Sequence, residues 1–255
     1  LVRKEGEAQH YCPNDMGCSP QIIGRIQHYI SRKALDIEGL GGETVALLVN
    51  AGLIRDYADL YELTADQIIH LDRMANKSAD NLVNGVQASK EVSFERVLFG
   101  LGIRYVGETV AKKLAKHYKS IKALSEATLE GLETVDEIGV KIAESVVAFF
   151  KNEANIRMVS RLILYGVQLE LSEEALSNQT TQLQGLRFVV SGIFETVSRD
   201  ELKELIDSNG GKVVSSISAK TSFVVSGANM GPSKRTKADS LKVPIISEKE
   251  FLEML

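Results

Sequence analysis

An apolar residue followed at once by a small one recurs along this chain at Leu40-Gly41, Met74-Ala75, Val106-Gly107 and Ile138-Gly139. The small residues stand 34, 32 and 32 positions apart. Four residues behind them come Val45, Ala79, Ala111 and Ala143, and three further on Leu48, Leu82, Leu114 and Val146. A period of this length means one supersecondary unit used four times, each copy burying its apolar face against its neighbours. The unit reads as a helix, a tight hairpin with the apolar residue at its apex, and a second helix that starts at the small residue. Glycine lets the backbone turn sharply there and lets a partner come close.

The first amides of such a second helix have no partner within the helix, and the helix dipole adds to their positive potential. They suit a phosphate. The unit resembles the helix-hairpin-helix motif, which holds nucleic-acid backbone through main-chain amides and so fixes position rather than sequence. The plainer alternative is four helical hairpins packed only to form a core. Charge favours the first. Between Arg104 and Lys122 stand six basic residues (Arg104, Lys112, Lys113, Lys116, Lys119, Lys122) against the single acid Glu108. Lys112, Lys116 and Lys119 fall on one helical face and Leu114, Tyr118 and Ile121 on another.

Whole-chain charge would not have suggested this, since 30 basic and 34 acidic groups give a net −4. Residues 1–182 carry 20 basic and 25 acidic groups and residues 183–255 carry 10 and 9. Basic strips on a mildly acidic body are therefore expected, not a uniformly cationic surface. No apolar run reaches membrane-spanning length and no signal peptide is present, which points to the cytosol.

The two cysteines, Cys12 and Cys18, flank turn-rich sequence after a strand-like hairpin turning near Gly6. This looks like half of a zinc ribbon, with two further ligands expected upstream of Leu1; two free structural cysteines are the alternative. An amphipathic helix follows Pro20, with Ile22, Ile23, Ile26, Tyr29 and Ile30 on its apolar side. Residues 172–184 are polar and aperiodic, including Ser177-Asn178-Gln179, and read as a linker. Beyond it the pattern changes to strands at Arg187–Ser191, Lys212–Val214, Ser222–Val225 and Pro244–Ile246. Helices are expected between them, with capping boxes at Ser198/Glu201 and Ser247/Glu250. The order β-α-β-β-α-β-α predicts a small, mostly parallel sheet flanked by helices.

That last region resembles a BRCT domain through Val190-Ser191-Gly192, the Gly210-Gly211 turn and Phe251. A cysteine ribbon, four helix-hairpin-helix units and one BRCT domain, in that order, resemble the C-terminal half of bacterial NAD-dependent DNA ligases. The wording is close at Leu35-Asp36-Ile37-Glu38-Gly39-Leu40-Gly41, Asp59-Leu60-Tyr61-Glu62-Leu63 and Leu98-Phe99-Gly100-Leu101-Gly102-Ile103-Arg104-Tyr105-Val106-Gly107-Glu108. Gly231-Pro232-Ser233-Lys234 agrees as well. The implied fold is multidomain: a partial ribbon and connecting helix over 1–33, a mainly α helix-hairpin-helix domain over 34–171, a linker over 172–184 and a small α/β BRCT domain over 185–255.

The resemblance implies a monomer that clamps nicked double-stranded DNA in the bacterial cytosol. An adenylation domain, using NAD and magnesium, would seal the nick. Its Lys-x-Asp-Gly motif is absent here, as is any Asp-Gly pair, so this chain is expected to be inactive alone. The candidate DNA contacts are Gly39, Gly41, Gly42, Arg73, Lys77, Arg104, Gly107, Lys112, Lys113, Gly139 and Lys141. Tyr105 and Glu137 stand where the first hairpin has Gly39, and Glu137 would repel phosphate if it pointed outward. Cys12 and Cys18 would be two of four ligands to a structural zinc. Ser191, Gly192 and Lys237 approximate a BRCT phosphate pocket. A non-catalytic repair scaffold that recruits partners through the BRCT domain is the alternative.

Overall fold

Every copy of the repeat builds the pair of helices that its spacing predicts. The computed structural model describes residues 2–3, 8, 10–14, 17–72, 74–173 and 180–255. The turn expected near Gly6, the linker residues Ser177, Asn178 and Gln179, and the candidate contact Arg73 lie outside them. The chain divides into two compact units, Leu1–Leu171 and Ser172–Leu255.

The first unit opens with a short antiparallel pair, β1 (Val2–Arg3) and β2 (His10–Tyr11). Helix α1 (Ser19–Tyr29) follows, with Pro20 in its first turn where a missing N–H costs nothing. Ile22, Ile26 and Tyr29 recur at helical spacing and are buried. The first hairpin leads into α2 (Gly42–Asn50); a 3₁₀ turn (Ala58–Glu62) and α3 (Ala65–Ile68) lead to the second hairpin and α4 (Asn76–Ala88). The third hairpin joins α5 (Phe94–Gly100) to α6 (Glu108–Tyr118). After α7 (Ile121–Ser125), the fourth joins α8 (Leu129–Glu133) to α9 (Val140–Lys151), and α10 (Glu153–Leu164) closes the unit. Asn152 ends α9 and caps α10 by accepting from the amides of Ala154 and Asn155 at 2.9 and 3.4 Å.

The recurring positions form the core. Val45, Ala79, Ala111, Ala143, Leu48, Leu82, Leu114 and Val146 are all buried. Around them Tyr29 stacks on Tyr57 at 4.5 Å, and its hydroxyl lies 2.9 Å from that of Tyr61, which lies 3.1 Å from Ser89 Oγ. Ser89 donates to the Val86 carbonyl at 2.7 Å, so these buried hydroxyls satisfy one another. Burial holds the Tyr29 phenol well above its ordinary pKa, and the string stays neutral.

One ion cluster ties α10 to the 3₁₀ turn. Arg161 donates to Asp56 at 3.3 Å, to Asp59 at 2.6 Å and to Glu62 at 2.8 Å. Burial, and then the charge of Asp59, push the Asp56 carboxyl up against the pull of Arg161. Arg161→Met should therefore cost about 2 kcal/mol at neutral pH, because three carboxylates lose their common counter-ion. Without that cation the folded-state pKa of Asp56 rises further above its unfolded value. The deficit is then full at neutral pH and shrinks as pH falls through that raised value. Thermal melts of both chains from neutral to acid pH would check it; a deficit independent of pH would refute it.

The second unit carries a four-stranded, wholly parallel sheet in the order β4-β3-β5-β6, from β3 (Arg187–Ser191), β4 (Lys212–Val213), β5 (Phe223–Ser226) and β6 (Ile245–Ser247). Helices α11 (Arg199–Ser208), α12 (Pro232–Ser240) and α13 (Glu248–Leu252) complete the expected β-α-β-β-α-β-α order. Both predicted capping boxes form. Phe188 is fully buried between Phe223 and Phe251, with ring centroids 5.6 and 5.7 Å away. The unit's packing starts within the polar stretch read as a linker. Leu183, 1% exposed, lies in this core, and its amide donates to the Asn209 carbonyl at 2.8 Å. Among the described residues no helix is long and apolar enough to cross a membrane.

Candidate nucleic-acid interface

Three of the hairpins share one backbone conformation although their residues differ. Gly39, Tyr105 and Glu137, equivalent in the first, third and fourth, all adopt left-handed φ, at 80°, 65° and 66°. For the two non-glycine residues this costs roughly 1 kcal/mol each. The apex residues Leu40, Val106 and Ile138 turn inward and are buried, while Met74 is half-buried. The next residue is the helix N-cap in all four units: Gly41, Ala75, Gly107 and Gly139 have φ of −92°, −105°, −80° and −92°. None supplies a side-chain cap. By contrast α7, α8 and α10, which follow no hairpin of this kind, are capped by the side chains of Ser120, Thr128 and Asn152.

Why glycine stands at three of these N-caps is not explained from inside the chain. Their φ values are ones that any residue adopts. A Cβ built at Gly41, Gly107 or Gly139 meets nothing within 4 Å. All three are exposed. Serine or aspartate there would cap the helix at least as well. What glycine uniquely leaves is bare access to the amides of the first turn, so that an anion can approach from solvent.

The neighbouring candidates divide into structural and open positions. Gly39 favours glycine through its left-handed φ, and a Cβ there would be in contact, at 3.4 Å, with the Leu82 amide nitrogen on α4. Gly42 is overhung by Gln27, whose Nε2 would lie 2.8 Å from a Cβ and donates to the Gly42 carbonyl at 3.3 Å. Lys77, Lys112 and Lys141 are exposed, in or near the first turns of α4, α6 and α9. Arg104 lies over the Tyr105 ring, 4.9 Å from its centroid.

Lys113 has a different employment from the solvent-facing charge expected of it. Its ammonium lies 2.7 Å from Glu137 and 3.4 Å from Asp136, which ties α6 to the fourth hairpin. The same contact answers the fear that Glu137 repels phosphate, because its carboxylate is paired. A second tie, Lys33 to Glu108 at 3.0 Å, joins the segment before the first hairpin to the start of α6. Sequence spacing signals neither.

In the second unit Ser191 is buried at the end of β3, and Gly192 has φ of 112° with a Cβ position 2.7 Å from the Gly227 backbone. Packing alone accounts for that glycine. Lys237 is exposed on α12, and among the described hydrogen bonds it takes part through its carbonyl. Cys12 and Cys18 are half-buried free thiols, and the Cys18 amide donates to the Asn14 carbonyl at 3.1 Å. Among the described residues no group of three or more His, Cys, Asp or Glu could hold a metal.

Known families agree with this division. Residues 31–88 match the SAM-like helix-hairpin-helix tandem, residues 96–159 the helix-hairpin-helix motif, and residues 178–255 the BRCA1 C Terminus (BRCT) domain. Over 255 residues the chain is 66% identical to a DNA ligase of Christiangramia forsetii and 65% identical to one of Flavobacterium johnsoniae. A DNA ligase of Phocaeicola vulgatus is 57% identical. Each alignment takes in 100% of this chain and 38% of the relative, so the chain spans about two fifths of the length of the curated relatives it matches.

Proposed function

Because this chain belongs to the bacterial DNA ligases, as the part that carries helix-hairpin-helix units and a BRCT domain, we propose that it holds nicked duplex DNA by its sugar–phosphate backbone. The carrying observation is the set of exposed N-cap glycines that neither conformation nor internal packing requires. Each exposes uncapped first-turn amides at the positive end of a helix dipole, where a phosphate oxygen gains hydrogen bonds and charge together. Lys77, Lys112 and Lys141 stand close enough to those helix starts to add counter-charge. Such contacts set the position of the duplex and leave its sequence unread.

Joining the 3′-hydroxyl to the 5′-phosphate would fall to an adenylation domain elsewhere in the ligase, with NAD as adenylate donor and magnesium assisting. The chain acts as one protomer in the cytosol and is inactive alone. Cys12 and Cys18, which follow a two-stranded ribbon closely in sequence, suit two thiolate positions of a closed zinc site. Zinc there would pin the ribbon against the start of α1 and supply no catalysis.

The test is binding of the chain to a nicked duplex and to its continuous twin, by fluorescence anisotropy across a salt series. Affinity should fall steeply and log-linearly with salt, with a slope that corresponds to several phosphates neutralised and their counterions released. Binding that ignores salt would sink the proposal.

A further inference from the structure

We infer that the second unit has a DNA face of its own: the cations of α12 rest against the sugar–phosphate backbone of duplex DNA. The inference rests on DNA being what this chain binds, and it stands whether or not the hairpins hold phosphates.

The sheet sorts the charge of this unit. Side chains alternate between the two faces of a strand. Phe188, Val190 and Val225 therefore pack with α11 and α13, while Val189 and Val224 pack with Ala238 of α12. The helices on the first face are acidic: α11 carries four acidic and two basic residues, and α13 carries two and one. On the second face α12 carries the basic residues Lys234, Arg235 and Lys237 and the single acid Asp239. Lys242 follows directly after the helix. Residues 183–255 sum to 10 basic and 9 acidic groups, which hides this segregation.

The two sets of cations are also used differently. Those on the acidic helices are engaged within the unit. Lys203 lies 2.7 Å from Asp200, Lys249 lies 3.9 Å from Glu253, and Arg199 donates to the Val190 carbonyl at 3.0 Å. Among the described residues the side chains of Lys234, Arg235, Lys237 and Lys242 have no hydrogen-bond or ion-pair partner. Lys234 is half-buried and the other three are exposed. Their own helix gains nothing from them. Lys234 and Arg235 stand near the positive end of its dipole, no acid occupies its first turn, and Gly231 supplies no side-chain cap. The like charges crowded there cost stability, and an anion laid along the helix removes that cost. Packing asks for none of them, since the buried residue of α12 is Ala238.

A row of phosphates fits such a surface. A protein partner fits it less well, because protein interfaces are depleted in lysine and built on apolar anchors. The large apolar residue exposed at this end of α12 is Leu241, 39% exposed.

The experiment titrates the whole chain into a continuous duplex by anisotropy across a salt series. Arg235→Gln with Lys237→Gln is compared with Lys203→Gln with Lys249→Gln, which removes the same two charges from the opposite face. The α12 pair should melt no lower than wild type, lose roughly tenfold in affinity and flatten the log–log salt slope by about one to two. The opposite pair should stay within about twofold of wild type, as should Arg235→Lys with Lys237→Arg, which keeps both charges. Equal losses from the two neutralised pairs would overturn the inference, since net charge alone would then be at work. Unchanged affinity and slope in the α12 pair would overturn it too, and would leave this face to an acidic protein. Gly107→Asp, titrated alongside, separates the two readings. If it loses affinity and the α12 pair does not, only the role of α12 fails; if the α12 pair loses affinity and Gly107→Asp does not, the hairpin reading fails and this one stands.

Discussion

Aspartate in place of Gly107 should leave the fold as stable as before and remove most of the chain's hold on DNA. The N-cap backbone there, φ −80° and ψ 177°, suits aspartate, and its Cβ would enter empty space. Asp is among the best N-caps and Gly is somewhat weaker, so the melting temperature should stay level or rise slightly. The carboxylate that caps the helix takes up the amides a phosphate would use and puts a negative charge in its path. Losing one charge-assisted set of hydrogen bonds is worth about 1.5–3 kcal/mol, or roughly 10- to 100-fold in affinity. Anisotropy titration beside a thermal melt separates the two effects. Unchanged affinity in a chain with an intact or improved melt would show that this helix start holds no phosphate.

Gly85→Ala should produce a large loss of stability for one added methyl group. Gly85 lies inside α4, where helix propensity alone predicts a gain of about 1 kcal/mol for alanine. The structure reverses the sign. A Cβ at Gly85 would sit 2.3 Å from the Glu38 carbonyl oxygen and 3.2 Å from its carbon, and backbone cannot swing aside as a side-chain tip can. Either α4 or the first hairpin has to move, at about 2–4 kcal/mol and a fall of about 5–15 °C in melting temperature. Gly24→Ala in α1 is the control, since its Cβ meets nothing within 4 Å. It should raise stability by about 0.5–1 kcal/mol. If circular-dichroism melts show both variants gaining alike, the hairpin does not rest on α4 as described.

Legibility in the sequence followed the range of the interactions. Features set within a few residues could be read directly: where each second helix starts, the glycine-like positions at Tyr105 and Glu137, both capping boxes and the succession of strands and helices in the second unit. The fold class drawn from them is the one observed. Features set by distant segments could not. Arg161 meets Asp56 and Asp59 across 105 and 102 residues, with no periodic trace of the meeting. Glu248 accepts from the amides of Glu195, Thr196 and Val197 more than fifty positions upstream. Lys113, counted from its helix as charge for DNA, finds its carboxylates in the next unit. Nothing in the sequence around Gly85 marks the Glu38 carbonyl that packs against it. The N-cap glycines were legible as glycines; that nothing internal demands them is knowledge only three dimensions provide.

The ties between repeats bear on how binding must proceed. The first hairpin rests on α4, the start of α6 is linked to Lys33, and the fourth hairpin is fastened to α6 through Lys113. None of these three hairpins is a free arm. Once one phosphate is seated, the others meet their seats at the high local concentration of an intramolecular event, with little ordering left to do. Such a frame acts like a comb laid along the double helix: its teeth engage together or scarcely at all. Affinity should then fall more than in proportion as successive seats are blocked, and a duplex of the wrong pitch would be refused by spacing alone.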